Sequence, residues 1–130
     1  MRRLFCSLAV VLVLILMGGC AAKTHPLVGS WRLVEYNGRP ASEEMVKLVT
    51  PTRFAFGRED GEGVWAGGGR VEVTRSVYTE IIEYHSKSKL VGVVADFSYD
   101  LKDGRWIHKG TIRTDQGDVG VDEVWERIED

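Results

Sequence analysis

The chain predicts an all-β fold: a small, antiparallel, up-and-down β-barrel of about eight strands, with at most one short helical turn after the first. From Pro26 onward it repeats one pattern, five to ten residues rich in Val, Ile, Thr and aromatics followed by Gly, Asp or Asn. Short strands at such spacing mark a sandwich or barrel. Large side chains also recur at every second position, the period of a strand with one buried face.

Strands are predicted near 28–36, 46–50, 53–57, 64–66, 70–75, 77–85, 91–100, 105–113 and 119–128, some of them merging or bending at bulges. Asn37-Gly38 and Asp103-Gly104 read as turns because both residues of each pair tolerate positive φ. Pro40 to Met45 reads as one helical turn capped by Ser42, with Glu43 and Glu44 in its first turn. Alternation puts Trp31, Leu33 and Glu35 on one row, and Phe54 with Phe56 on another. The remaining rows are Tyr78, Glu80, Ile82 and Tyr84; Val91, Val93, Ala95, Phe97 and Tyr99; Trp106, His108, Gly110 and Ile112; and Val119, Val121, Glu123, Trp125 and Arg127. These rows carry the bulk and are expected to face inward, while Arg32, Asp96, Ser98, Arg105, Lys109, Asp122 and Glu126 face water. Closing the sheet hides its edges.

The first nineteen residues read as a secretory signal. Arg2 and Arg3 precede a fourteen-residue, mostly apolar run from Leu4 to Met17, and small Gly18 and Gly19 lead to Cys20. As a helix that run rises about 21 Å, short of roughly 30 Å of hydrocarbon. Leu16-Met17-Gly18-Gly19-Cys20 resembles the lipobox of bacterial lipoproteins, with Met17 where Leu is usual. The resemblance implies cleavage before Cys20, transfer of a diacylglyceryl group to it, and a lipid anchor; two or more chains hold stably where one does not. Arg2-Arg3-Leu4-Phe5 is also similar to part of a twin-arginine signal, but the strong apolar run favours unfolded export. Ala21 in place of Asp implies the periplasmic face of the outer membrane in a two-membrane cell. Residues 20–26 form the lipidated tether, and 27–130 the barrel domain.

Removing the signal leaves 111 of the 130 residues, enough for one domain. It also leaves fifteen basic residues against nineteen acidic ones, a formal charge of about −4. That balance argues against nucleic acid or an anionic membrane as partner. Cys6 lies in the signal and Cys20 takes lipid, so the domain has no disulfide and depends on its core.

Gly29-Ser30-Trp31 resembles the Gly-x-Trp signature of lipocalin-like (calycin) barrels, and Trp125-Glu126-Arg127 ends the last strand with an Arg of the matching parity. The resemblance implies that Arg127 packs over Trp31 and closes one end of the barrel, a cation–π contact of about 0.5–2 kcal/mol. Four further segments, 48–54, 66–69, 78–84 and 123–127, resemble a bacterial lipocalin-like domain family of uncharacterised function over nearly all of 27–129. Members of that family often carry His where this chain has Arg53. The resemblance implies a fold and no reaction.

Glu80, Glu123, Glu35 and His108 fall on rows expected inside. A buried carboxylate is costly unless paired or hydrogen-bonded, so each either contacts a ligand, bonds a Tyr or Arg, or sits at the mouth. Tyr78 and Tyr84 flanking Glu80 would form a wall with an apolar body and polar tips. Two inward glutamates could serve glycoside hydrolysis, but nothing in their spacing selects the geometry. His25, His85 and His108 are scattered, with no paired spacing for a metal, and only His108 is an inward candidate to hold a haem. No Gly-x-Ser-x-Gly elbow is present. Ala66-Gly67-Gly68-Gly69-Arg70 leads into a strand without Lys-Ser/Thr or a helix, so it reads as a hairpin or bulge rather than a phosphate loop. The expectation is a lipid-anchored, non-enzymatic barrel without cofactor or metal that binds a small, mostly apolar molecule through Tyr78, Glu80, Tyr84, Phe97 and Trp106. The alternative is a structural or protein-interaction module, such as an inhibitor of an exported hydrolase.

Overall fold

The computed structural model describes residues 24–128; the expected signal and the Cys20 attachment site lie outside the described residues. Nine strands follow in order: β1 (Gly29–Tyr36), β2 (Arg39–Pro40), β3 (Val46–Val49), β4 (Arg53–Glu59), β5 (Val64–Val73), β6 (Val77–His85), β7 (Val94–Lys102), β8 (Arg105–Thr114) and β9 (Gly117–Arg127). From β3 to β9 each strand pairs antiparallel with the next in the chain, β1 pairs with β3, and β9 returns to pair with β1. Eight strands therefore close into a barrel, and two-residue β2 is an extra strand on β1. No helix among the described residues is long and apolar enough to cross a membrane.

Both expected turns form. Asn37 and Gly38 have φ of 49° and 73°, Asp103 and Gly104 of 53° and 75°, and each pair makes a two-residue hairpin whose twist suits the flanking strands. The expected helical turn at Pro40–Met45 is absent. Ala41 N–H donates to the Val34 carbonyl and Leu33 N–H to the Met45 carbonyl, so both ends of that segment are tied to β1 as sheet. The helical turn lies instead at Ser88–Leu90, a single 3₁₀ turn between β6 and β7. The segments expected at 64–66 and 70–75 are one strand, since the glycine run between them pairs with both β4 and β6.

Two bulges correct the face assignments. Gly69 pairs with Ile82 and Gly68 with Tyr84, so Glu83 is an extra residue in β6. One extra residue exchanges the faces beyond it. Tyr78, Glu80 and Ile82 face inward as expected, whereas Tyr84 lies outside, 53% exposed over the outer face of Gly68, and His85 turns in. A Cβ at Gly69 would collide with the Ile81 carbonyl, so only glycine allows this approach of β5 to the bulge. Val34 is the second extra residue, between the pairs Leu33–Trp125 and Glu35–Val124. It sends Glu35 outward, where Arg105 bridges it to Glu126. Val91 also leaves its expected row, because it ends the 3₁₀ turn rather than starting β7.

The core is aromatic and sits toward one end. Trp31, Trp106, Trp125, Tyr78, Phe97, Leu27 and His108 are fully buried. Trp106 meets Trp31, Tyr78 and His108 edge-on at 5.3, 5.1 and 5.0 Å, and Phe97 stacks on His108 at 4.0 Å. The segment before β1 seals that end: Trp31 Nε1 donates to the Leu27 carbonyl at 2.8 Å. The Arg127 guanidinium lies 4.2 Å from the Trp31 ring and donates to the carbonyls of Val28 and Pro26. A Cβ at Gly29 would occupy the space of that guanidinium, which explains glycine in the Gly-x-Trp segment. The eight strands that close the barrel all lie within residues 24–128.

Candidate functional site

Above the aromatic plug the barrel holds a cavity of about 640 Å³ that opens at the other end. Leu33, Phe56, Ile82, Phe97, Val121 and Trp125 supply its apolar walls. Arg58, Lys87, Lys89, Glu43 and Asp118 stand at its mouth. Arg58 is paired with Glu43, and the Lys87 ammonium sits 4.5 Å from the Trp65 ring.

Lys47, Glu80, His108 and Glu123 form a polar floor. β3 supplies Lys47, β6 Glu80, β8 His108 and β9 Glu123, with His108 and Glu123 directly opposite in register. Lys47 Nζ donates to Glu80 Oε1 at 2.8 Å, and both residues are buried. The ammonium also lies 4.8 Å from the Trp125 ring, 5.3 Å from Trp106, 5.8 Å from Tyr78 and 5.9 Å from Phe54, a nearly complete aromatic surround. Trp125 Nε1 donates to Glu123 Oε2 at 2.9 Å. His108 Nε2 stands 3.8 Å from the same oxygen, beyond hydrogen-bond range.

Burial dominates the protonation of His108, Glu123 and Tyr78. It holds the His108 imidazole well below its usual 6.5, with the Lys47 charge adding to the effect, so the ring is neutral at pH 7. Burial raises the Glu123 carboxyl above 4.5; Lys47 opposes this and Glu80 reinforces it. The Tyr78 phenol is pushed well above 10, first by burial and then by Glu80. Trp106 Nε1 and His108 Nδ1 are buried without a hydrogen-bond partner in the protein.

Of the five contacts expected from sequence, Glu80 and Phe97 line the cavity. Tyr78 and Trp106 lie beneath its floor as part of the plug, and Tyr84 is outside the barrel. Glu123 and His108 belong to the floor; Glu35 does not. Arg53 is on the outer surface, paired with Glu83 and outside the cavity lining. Lys47 is the floor residue that the sequence reading missed. Alternation in its strand pointed the other way: Val46 and Leu48 form the more apolar row, yet Lys47 and Val49 are the buried pair and Leu48 is half exposed. Among the described residues no three His, Cys, Asp or Glu side chains converge as a metal-binding set.

No protein-family model matches this chain, and no curated protein matches it.

Proposed function

We propose that this protein is a lipid-anchored envelope lipoprotein whose lipocalin-like barrel holds a small, mostly apolar molecule without transforming it. The observation that supports this reading is the cavity: about 640 Å³, apolar-walled, open at one end and floored by Lys47, Glu80, His108 and Glu123. That volume falls within the roughly 300–1,000 Å³ of small-molecule sites, which combine apolar walls with a few placed polar groups. Cavity-facing polar groups that leave hydrogen-bonding capacity unused are costly in a chain selected only for packing. Acylation at Cys20 would place the barrel at a membrane surface, where apolar molecules are available.

Residues 21–130, purified without lipid from the source organism, test the reading by native mass spectrometry. The expected result is a stoichiometric small-molecule adduct that is lost when Val121→Trp fills the cavity. An empty barrel that retrieves one envelope protein would overturn it in favour of a protein-interaction module.

A further inference from the structure

We infer that the molecule held in this cavity carries a protonated amine on an apolar chain, and that the amine seats on the Glu123 carboxylate. This rests on the ligand-holding reading above and names the chemical class of the ligand. The floor contains two carboxylates and one ammonium. Lys47 and Glu80 form a closed pair at 2.8 Å, both nearly excluded from water. Glu123 lines the same cavity, and no Lys or Arg side chain lies within ion-pair distance of it among the described residues. Its one hydrogen bond comes from Trp125 Nε1 at 2.9 Å, whereas an ionised carboxylate accepts about four.

His108 stands beside it, 1% exposed, lining the cavity, with Nδ1 unpartnered. Its neutrality leaves Glu123 with no counter-charge in contact, since Lys47 acts on it only from beyond ion-pair distance. An ammonium supplies that charge together with several N–H donors, and charge-assisted bonds of this kind are about twice as strong as neutral ones. The surroundings already accept such a group: the Lys47 ammonium lies within 6 Å of four aromatic rings, and Trp125, the ring nearest to it, also donates to Glu123. An anionic head fares worse on the same floor. It would have to displace Glu80 from Lys47 and then sit beside two carboxylates. With the cavity unfilled, the raised Glu123 pKa means that a proton meets part of the same demand.

Decylamine, decanol and decanoate, matched in chain length, test this on residues 21–130 by isothermal titration at about pH 7.5, below the micellar concentrations of the two ions and the solubility limit of decanol. Decylamine is expected to bind about tenfold or more tighter than decanol, the ratio one charge-assisted hydrogen bond supplies, with decanoate weakest. Glu123→Gln, which keeps the shape and the Trp125 bond, is expected to remove the amine preference while decanol binding is retained. Equal binding of all three, or tighter decanoate binding, overturns the amine assignment and leaves the ligand-holding reading in place. A failure of all three, with the chain folded by circular dichroism, overturns both.

Discussion

At the residue scale the least ordinary feature is the Lys47–Glu80 pair inside a ring of aromatic side chains. Removing one partner leaves an uncompensated buried charge, so Lys47→Met is expected to cost about 3–5 kcal/mol in urea denaturation. Replacing both, Lys47→Met with Glu80→Met, is expected to restore most of that loss, because apolar side chains of similar volume need no counter-charge. His108 sets a pH dependence of definite sign. Its folded pKa lies below 6.5, so the unfolded chain takes up a proton that the barrel refuses. Stability is therefore fully present above pH 6.5 and falls below it. Glu123 works oppositely at the acid end, because its folded pKa is raised and the barrel keeps a proton that the unfolded chain releases. The net loss expected between about pH 7.5 and pH 5.5 is about 1 kcal/mol, read from urea midpoints at the two values. His108→Gln is expected to flatten the slope, leaving the smaller share of His25 and His85, which burial also lowers.

At the scale of elements, the β5–β6 bulge decides what the cavity mouth is made of. It takes Tyr84 out and brings in His85, which meets Trp65 edge-on at 4.9 Å. Gly69→Ala drives a Cβ into the Ile81 carbonyl and is expected to destabilise the barrel by about 1–3 kcal/mol, the range for overpacking, measured by urea denaturation. Tyr84→Ala is expected to leave ligand affinity unchanged in the same titration that Glu123→Gln alters. Strand positions and both two-residue turns were legible from residue chemistry, because they follow from period-two alternation and from residues that tolerate positive φ; the Trp31–Arg127 closure was legible only as what the Gly-x-Trp resemblance implies. The sites of the bulges were not. A bulge is where one strand carries a residue its partner does not, and this is a property of the pair rather than of either segment alone. Tyr84 and Glu35 were both misplaced for that reason, each lying one residue past an extra one.

At the scale of the whole molecule, the barrel divides its interior into a packed end and an open end. Trp31, Trp106, Tyr78 and Leu27 fill the first, with Arg127 outside Trp31 as its lid; apolar walls that include Trp125 and the charged floor make the second. Sequence alternation could say that these side chains face inward but not how far they fill the space, since that depends on which rows meet at the same height. Tyr78 and Trp106 were thus expected to touch a ligand and instead support the floor on which it would rest. The indole N–H signals of Trp31, Trp65, Trp106 and Trp125 report each level of this arrangement separately by NMR. During titration with whichever decyl probe binds tightest, the Trp125 signal, bonded to Glu123, is expected to shift saturably while Trp31, bonded to Leu27 at the sealed end, stays fixed. Movement confined to Trp65 at the mouth, with Trp125 unmoved, would contradict the claim that the barrel interior holds the ligand.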